Sequence, residues 1–503
     1  MSGKQDVVVG FDPRTGVAAE GVPVTKPAAL DRLVAAAAGA FEPWTAWSPS
    51  ARAEALDAVA DALDAATDDL VAVADSETGL GEVRLRGEVR RTSDQLRLFG
   101  TVLRDGSYLG VVITPEAEAQ PDIRRMLEPL GPVAVFAASN FPFAFSVAGG
   151  DTASALAAGC PVVVKAHEGH PRTSAGTERV VRAALTEAGA PHGVFAVAYG
   201  RAAGPLLVED ARVRAVGFTG SRRGGRALFD LACARAEPIP FYGELGSVNP
   251  VVVLPAAAAS RGDEIARGYV GSLLLGVGQF CTNPGLLFVP RAGPLVGLIR
   301  DELRGAGGGV MLSAGMRDAY VARTAEVTRT LGPDPLLARS DHGAVEGWWV
   351  EPVVAEVPIA QFQADLAEEC FGPFGLIVTY DDVTEARDAI AALDANLTAS
   401  VHAEPEDHPA AADLALVLRR KAGRLIFNGW PTGVSVCWAM HHGGPWPATT
   451  AARWTSVGAG AIGRWLAPVA YQSWPDELLP PALQRANPMR IARRVDGAWE
   501  RSG

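Results

Sequence analysis

The sequence predicts an α/β protein organised around a right-handed parallel sheet, and three observations carry that expectation. From Pro132 onward, short apolar runs alternate with helical stretches, the pattern of repeated strand–helix–strand units. Runs such as Pro161 to Lys165 are apolar and β-branched almost throughout, as in a parallel strand buried on both faces. The chain has 503 residues, 48% hydrophobic and 20% charged, enough for two or three domains with cores of their own.

In chain order, residues 51–78 read as one long amphipathic helix and Leu85 to Leu103 as a second. Tyr108 to Thr114 and the polar stretch Pro115 to Asp122 follow as strand and turn. Pro132 to Ser139 is a strand, and Phe145 to Ala158 a helix closed by Gly159. Pro161 to Lys165 is a strand, Thr173 to Ala188 a helix, and Gly193 to Tyr199 and Arg214 to Thr219 are strands. Ser221 to Ala234 is a helix. A second α/β block begins near Asn249, with strand Val251 to Leu254, helix Glu264 to Leu275 and strand Leu286 to Val289.

Several function classes are disfavoured. The net charge is −12 and no basic stripe is evident, so nucleic acid is not an expected partner. Arg222, Arg223 and Arg226 cluster in a mixed helix. Leu130 to Val164 carries one charge, Asp151, but Pro132, Asn140, Pro142, Gly149, Gly150 and Pro161 interrupt it. A spanning helix needs about 20 continuous apolar residues, so no membrane association is expected. Met1 to Asp6 leads into no signal-peptide core. Five scattered cysteines, Cys160, Cys233, Cys281, Cys370 and Cys437, argue for a reducing, cytoplasmic setting. Gly458 to Gly463 matches G-x-G-x-x-G, but it follows no strand, and the next acid, Asp476, lies behind Pro468 and Pro475. It is not expected to hold a dinucleotide. His167 with His170, and His441 with His442, lack zinc-site spacing and partner ligands, so no metal is expected.

Chemistry is concentrated in Gly278-Gln279-Phe280-Cys281-Thr282-Asn283-Pro284-Gly285. This turn sets one thiol among glycines that let the backbone approach a substrate. Three further segments accompany it: Ala138 to Phe143 (ASNFPF), Phe241 to Gly246 (FYGELG) and Glu368 to Pro373 (EECFGP). Together, from about residue 30 to about residue 485, they resemble the aldehyde dehydrogenase superfamily. Tyr242 to Pro250 (YGELGSVNP), Gly278 to Gly285 (GQFCTNPG), His442 to Thr449 (HGGPWPAT) and Tyr471 to Leu483 (YQSWPDELLPPAL) resemble its α-ketoglutaric semialdehyde (2,5-dioxovalerate) dehydrogenase branch.

The resemblance implies three parts. A Rossmann-type cofactor domain covers residues 1–108 and 130–245, and an α/β catalytic domain covers 246–464. Residues 109–129 and 465–503 form a small β oligomerisation element with a C-terminal tail, in a homodimer or homotetramer. It implies NAD(P)-dependent oxidation of an aldehyde to an acid through a cysteine thiohemiacetal and thioester. Cys281 is then the nucleophile, and its thiolate is the reactive form. Asn140 and the backbone N–H of Cys281 would hold the oxyanion, where one donor is typically worth about 3 kcal/mol. Glu244 would activate the hydrolytic water. Flanked by Phe241, Tyr242 and Leu245, it looks buried, which predicts a raised pKa.

For the cofactor, the family uses the position of Lys165 for the adenosine ribose and those of Gly220 and Ser221 for the pyrophosphate at a helix start. Glu369 and Phe371 resemble its nicotinamide-side contacts. Glu168 departs from NADP-using members: a carboxylate there accepts from a free ribose hydroxyl and repels a 2′-phosphate, which favours NAD over NADP. Phe141, Phe145, Phe280 and Trp438 are candidates for the aldehyde tunnel. Arg86, or failing it Arg453, is a candidate partner for a distal substrate carboxylate, with surface salt bridging the simpler account of Arg86. Alternatives are a broad-specificity aliphatic aldehyde dehydrogenase and a cofactor-free thiol hydrolase. Hydrolases of the nitrilase type place Glu, Lys and Cys in that order, whereas here the order is Lys165, Glu244, Cys281.

Overall fold

The computed structural model describes residues 7–331, 336–338 and 346–500; residues 1–6 and 501–503, the outer ends of the two terminal assignments, lie outside the described residues. Helices Pro49–Ala65, Thr67–Thr78 and α1 (Glu82–Asp105) pack together beside a five-stranded sheet. Its strands are β1 (Val133–Phe136), β2 (Val162–Lys165), β3 (Phe195–Ala198), β4 (Ala215–Thr219) and β5 (Phe241–Glu244). All neighbours are parallel and the order is β3-β2-β1-β4-β5. The order reverses between β1 and β4, so the carboxyl ends there open the crevice in which such sheets bind ligands. Helices α2 (Gly150–Ala158) and α3 (Arg222–Ala234) belong to the same α/β unit.

Two helical expectations are corrected. Residues 51–78 form two helices broken at Ala66 (φ −91°, ψ 7°). Thr67 turns its hydroxyl back onto the carbonyls of Leu63 and Asp64, and Asp68 and Asp69 then open a fresh first turn. The helix expected from Phe145 starts only at Gly150. The buried Glu88 carboxylate accepts the backbone N–H groups of Phe143 (2.8 Å) and Ala144 (3.0 Å), holding that stretch in turns.

Among the described residues, the main sheet of the second block has seven strands: β6 (Val251–Val253), β7 (Leu286–Pro290), β8 (Leu336–Ala338), β9 (Val353–Pro358), β10 (Phe374–Tyr380), β11 (Asn396–His402) and β12 (Ala422–Phe427). The order is β8-β9-β10-β7-β6-β11-β12, parallel except for β8. Helix α4 (Gly262–Leu274) covers one face through Ile265, Tyr269 and Leu273. Cys281 precedes β7 and Glu369 precedes β10, so the approaches to these strands face the carboxyl ends of β1–β5.

Val112–Thr114, Ile123–Pro129, Leu466–Gln472, Arg493–Val495 and Ala498–Glu500 form a separate five-stranded sheet, bringing residues 109–129 and 465–500 together. Gly458 to Gly463 falls in a 3₁₀ helix, Ala459–Trp465, that packs on α2. Ala459, Ala461, Ile462 and Trp465 join the core beneath the first sheet, whereas sequence reasoning assigned the first three to the catalytic block and Trp465 to the oligomerisation element. Among the described residues, no helix is long and apolar enough to cross a membrane.

Candidate active site

The thiol turn is built on left-handed backbone. Gly276, Val277 and Gly278 have φ of 59°, 59° and 65°. A Cβ on Gly278 would stand 2.2 Å from the carbonyl oxygen of Gly372, so only glycine lets these chains meet. Val277 is β-branched in that region, a conformation costing on the order of 1–3 kcal/mol that its surroundings must impose. Two amides impose it. Asn283 Nδ2 donates to the carbonyls of Gly278 (2.7 Å) and Gly372 (3.3 Å). Asn249 Nδ2 donates to those of Cys281 (2.8 Å) and Asn283 (2.9 Å). Sequence reasoning quoted Asn249 within a motif and missed this positioning role.

Three ionisable groups converge at the sulfur. His442 Nε2 lies 3.7 Å from Cys281 Sγ in hydrogen-bonding geometry, and 2.9 Å from Glu244 Oε1. The donor atoms of all three residues lie within 4.8 Å of one another. Glu244 Oε2 accepts the Ser456 hydroxyl. Burial, then the charges of Glu244 and Glu369, push the Cys281 thiol well above its ordinary range; Arg424 opposes them. Burial also pushes Glu244 up, but His442, the Ser456 hydroxyl and Arg464 outweigh it and leave the carboxyl below its ordinary value. This corrects the expected raised pKa: the apolar neighbours in sequence are not the groups that face the carboxylate. Asn140 is buried and donates one Nδ2 hydrogen to the carbonyl of Gln279 at 3.0 Å, leaving the other for an oxygen bound at Cys281.

A cavity of about 280 Å³ joins this centre to the carboxyl ends of β1, β4 and β5. Its lining includes Asn140, Gly220, Ser221, Glu244, Cys281 and Glu369. Phe371 lines it too. Ser221 caps α3, its hydroxyl accepting the N–H of Gly224 at 3.3 Å, so the helix start faces the cavity. Lys165, the buried last residue of β2, is ion-paired with Glu168. Glu369 Oε1 accepts the N–H of Ser247 at 3.2 Å. The carboxyl opens onto the cavity yet is surrounded by protein, which pushes it up to about 7. The polar groups at the strand ends, an anion-favouring helix start and a roomy cavity beside the thiol fit a dinucleotide.

The aldehyde dehydrogenase family profile matches residues 1–293. Over 99% of its length the chain is 47% identical to alpha-ketoglutaric semialdehyde dehydrogenase 2 of Azospirillum brasilense, covering 98% of that protein. The chain belongs to the aldehyde dehydrogenase family. It is also 41% identical to the alpha-ketoglutaric semialdehyde dehydrogenase of Acinetobacter baylyi, covering 93% of this chain and 91% of that one. Two solved structures share the fold. A variant of aldehyde dehydrogenase C from Pseudomonas syringae, in complex with NAD+ and octanal, superposes with a TM-score of 0.81 at 22% identity, over 94% of each chain. The 1-pyrroline-5-carboxylate dehydrogenase from Thermus with bound NAD gives 0.80 at 23% identity, over 93% of this chain and 90% of that one. The protein is an NAD(P)-dependent aldehyde dehydrogenase by family.

Beside the thiol of this aldehyde dehydrogenase stands an aromatic and cationic wall. Phe141 sits 5.2 Å from both Phe145 and Phe280. Arg84 lies over Phe141 and Phe280 (5.3 and 4.8 Å), and Arg91 over Phe145 (5.1 Å). Cys281 is close enough for its charge to act on Arg91 and Arg424. Arg84 Nη1 and Arg424 Nε are buried without a hydrogen-bond partner, and among the described residues none of these three arginines is ion-paired to a carboxylate. Arg86 is not in this wall. It is exposed and paired with Asp68 and Glu82, both at 2.7 Å. Two residues along a helix is about 200° of rotation, so Arg84, Glu88 and Arg91 take the inner face and Arg86 the outer. Arg453 is also exposed, its guanidinium over Trp454 at 5.4 Å, and Trp438 is half exposed.

Proposed function

We propose that this enzyme oxidises a short semialdehyde bearing a distal carboxylate, with α-ketoglutaric semialdehyde as leading candidate, and that it prefers NAD. The observation that carries the reaction is the convergence of Cys281, Asn140 and Glu244 on one cavity that continues to Gly220 and Ser221. The substrate reading draws on the names of the two relatives and on the half-buried arginines beside the thiol. Glu88 acts on Arg84 and Arg91, whereas Arg424 has Cys281 as the charge that acts on it.

In the proposed mechanism the Cys281 sulfur attacks the aldehyde carbon. The carbonyl oxygen takes the electron pair and rests against the free Nδ2 hydrogen of Asn140. A nicotinamide held at Glu369 and Phe371 would supply the acceptor for the hydride that leaves that carbon. The acyl group then sits on Cys281 as a thioester. Glu244 Oε1, held ionised, takes a proton from the water that attacks it. Phe141, Phe145 and Phe280 exclude bulk water from this step, and Arg91 and Arg424 hold the distal carboxylate. Lys165 and Glu168 would receive the adenosine ribose, Gly220 and Ser221 the pyrophosphate, and Glu369 and Phe371 the nicotinamide end. Residues 1–108 with 130–245 then serve as the cofactor domain, 246–464 as the catalytic domain, and the separate sheet as the element through which a cytoplasmic homo-oligomer assembles.

The test is reduction of NAD and of NADP with a panel of aldehydes matched in length, with and without a terminal carboxylate. The reading requires kcat/KM to be highest for the carboxylated semialdehydes with NAD. Better use of simple aliphatic aldehydes would move the enzyme to the broad-specificity alternative.

A further inference from the structure

The turns that carry Asn140 and Cys281 belong to different sheets, and a side chain that the mechanism leaves unused lies between them. Arg84, on the inner face of α1, is half-buried. Its Nη2 donates to the backbone carbonyl of Asn140 at 2.6 Å. Its guanidinium carbon stands 5.3 Å from the ring of Phe141, the residue after Asn140. It stands 4.8 Å from the ring of Phe280, the residue before Cys281. Those two rings meet edge to face with centroids 5.2 Å apart, so one cation packs against both turns at once. The backbone makes room for it. A Cβ on Gly276 would stand 2.3 Å from Arg84 Nη1, so the left-handed glycine ahead of Cys281 admits the guanidinium.

Glu88, one helical turn further along the same face, grips the same segment from its other end. Its Oε1 accepts the N–H groups of Phe143 and Ala144. Burial lowers Arg84 and raises Glu88, and each charge opposes the shift of the other. Helix α1 thus holds residues 140–144 by one carbonyl and two N–H groups. Asn140 spends one amide hydrogen on the carbonyl of Gln279, so the spacing of the two turns decides where its second hydrogen points.

We propose that Arg84 is a positioning residue for the oxyanion site: bonded to the Asn140 carbonyl and packed on Phe141 and Phe280, it sets the distance between the Asn140 amide and the carbon bound to Cys281. The inference rests on the reading of Asn140 as the oxyanion donor in aldehyde oxidation. Such a donor acts only within about 2.7–3.1 Å of the developing charge. A misplacement of about 1 Å from a remote change is enough to cost about a hundredfold in rate. A guanidinium can do both jobs together, its N–H groups donating in the plane while its faces pack on rings, whereas an ammonium offers a point charge.

The test uses a neutral aldehyde, which has no carboxylate for an arginine to recognise, and reads the first turnover of NADH formation by stopped flow. Arg84→Met should slow that phase by about tenfold to a hundredfold, with KM and NAD affinity within a few-fold of wild type. Asn140→Ala should slow it by about a hundredfold to a thousandfold. The double variant should be within about twofold of Asn140→Ala alone, because an arginine that acts through Asn140 has nothing left to position. Losses that multiply in the double variant would overturn the proposal, since Arg84 would then act independently of Asn140. So would an Arg84→Met variant that turns over the neutral aldehyde at the wild-type rate and loses only carboxylated substrates, the behaviour of a substrate ligand. If Arg84→Met does not fold, Arg84→Lys, which keeps a charge beside Glu88, takes its place in the cycle with a loss of less than about tenfold, again absent without Asn140. An Asn140→Ala variant as fast as wild type would remove the oxyanion reading itself and the proposal with it, an outcome separate from multiplying losses.

Discussion

The two sides of Cys281 are built by different means. On the side proposed for the cofactor, Lys165, Gly220 and Ser221 are placed by backbone: each is at or just past the carboxyl end of a strand in one parallel sheet. On the other side, Arg84 and Arg91 reach in from one face of α1, Arg424 from β12, and His442 from a turn that returns to the first sheet through the Glu244–Thr449 bridge. A backbone-built wall is fixed by strand register and tolerates side-chain change. A wall of side chains from separate elements depends on which face each element presents. Substitutions on the cofactor side should therefore shade preference, and those on the other side should cut deeper.

The largest effect is expected where the walls meet. Cys281→Ser should lower kcat by at least about a thousandfold, since a hydroxyl is a far weaker nucleophile than a thiolate and the group acts with its neighbours as a unit. NAD affinity, measured by fluorescence titration, should stay close to wild type. Retention of a tenth of wild-type turnover would remove Cys281 from its role.

Next in size comes the cationic wall. Arg424→Ala should raise KM for carboxylated semialdehydes by about tenfold to a hundredfold and leave neutral aldehydes of equal length little changed, as for loss of a charge-assisted pair. Arg424 already donates to the carbonyls of Gly433 (3.0 Å) and Pro431 (2.6 Å), so part of any loss can come from loosening that loop. The neutral aldehyde reports that part: an equal rise in its KM would mean the arginine holds the loop and not the substrate.

A smaller shift is expected on the cofactor side. Glu168→Thr should move the NADP to NAD ratio of kcat/KM upward by about tenfold, because on the proposed cofactor placement it removes a carboxylate from the 2′ position, and it frees the ion-paired Lys165. Wild-type preference for NADP would mean that Lys165, or a cation beyond it, already meets the phosphate.

This contrast also governs what could be read from the chain. The strand–helix alternation and the four motifs pointed to the parallel sheets and to Cys281, Asn140, Glu244, Ser221 and Glu369, which line one cavity, since local sequence determines where a strand ends and a turn begins. The break at Ala66 escaped because it depends on one threonine hydroxyl bonding backward. His442 escaped because its partners are far away in the chain, and a metal-spacing test asks a different question of it. The direction of the Glu244 shift was misjudged for the same reason, as His442 and Ser456 are distant in sequence. Arg84 and Arg91 were within reach, since with Glu88 they sit at helix spacing on one face of a helix correctly expected.

That missed periodicity supplies the smallest and sharpest prediction. Arg86→Ala should leave KM for every aldehyde within about twofold of wild type, as exposed ion pairs of this kind contribute little. Arg86 is exposed and its two carboxylate partners, Asp68 and Glu82, are more exposed still. Arg91→Ala, seven residues from Arg84 on the same face of α1, should raise KM for carboxylated substrates while sparing neutral ones. The pair of variants tests the orientation of one helix through a kinetic constant. Parallel responses would show that the two faces of α1 are not distinguished by the substrate. A rise in KM for Arg86→Ala alone would mean that the outer face carries the recognition, and the cationic wall beside Phe145 would lose its assigned role.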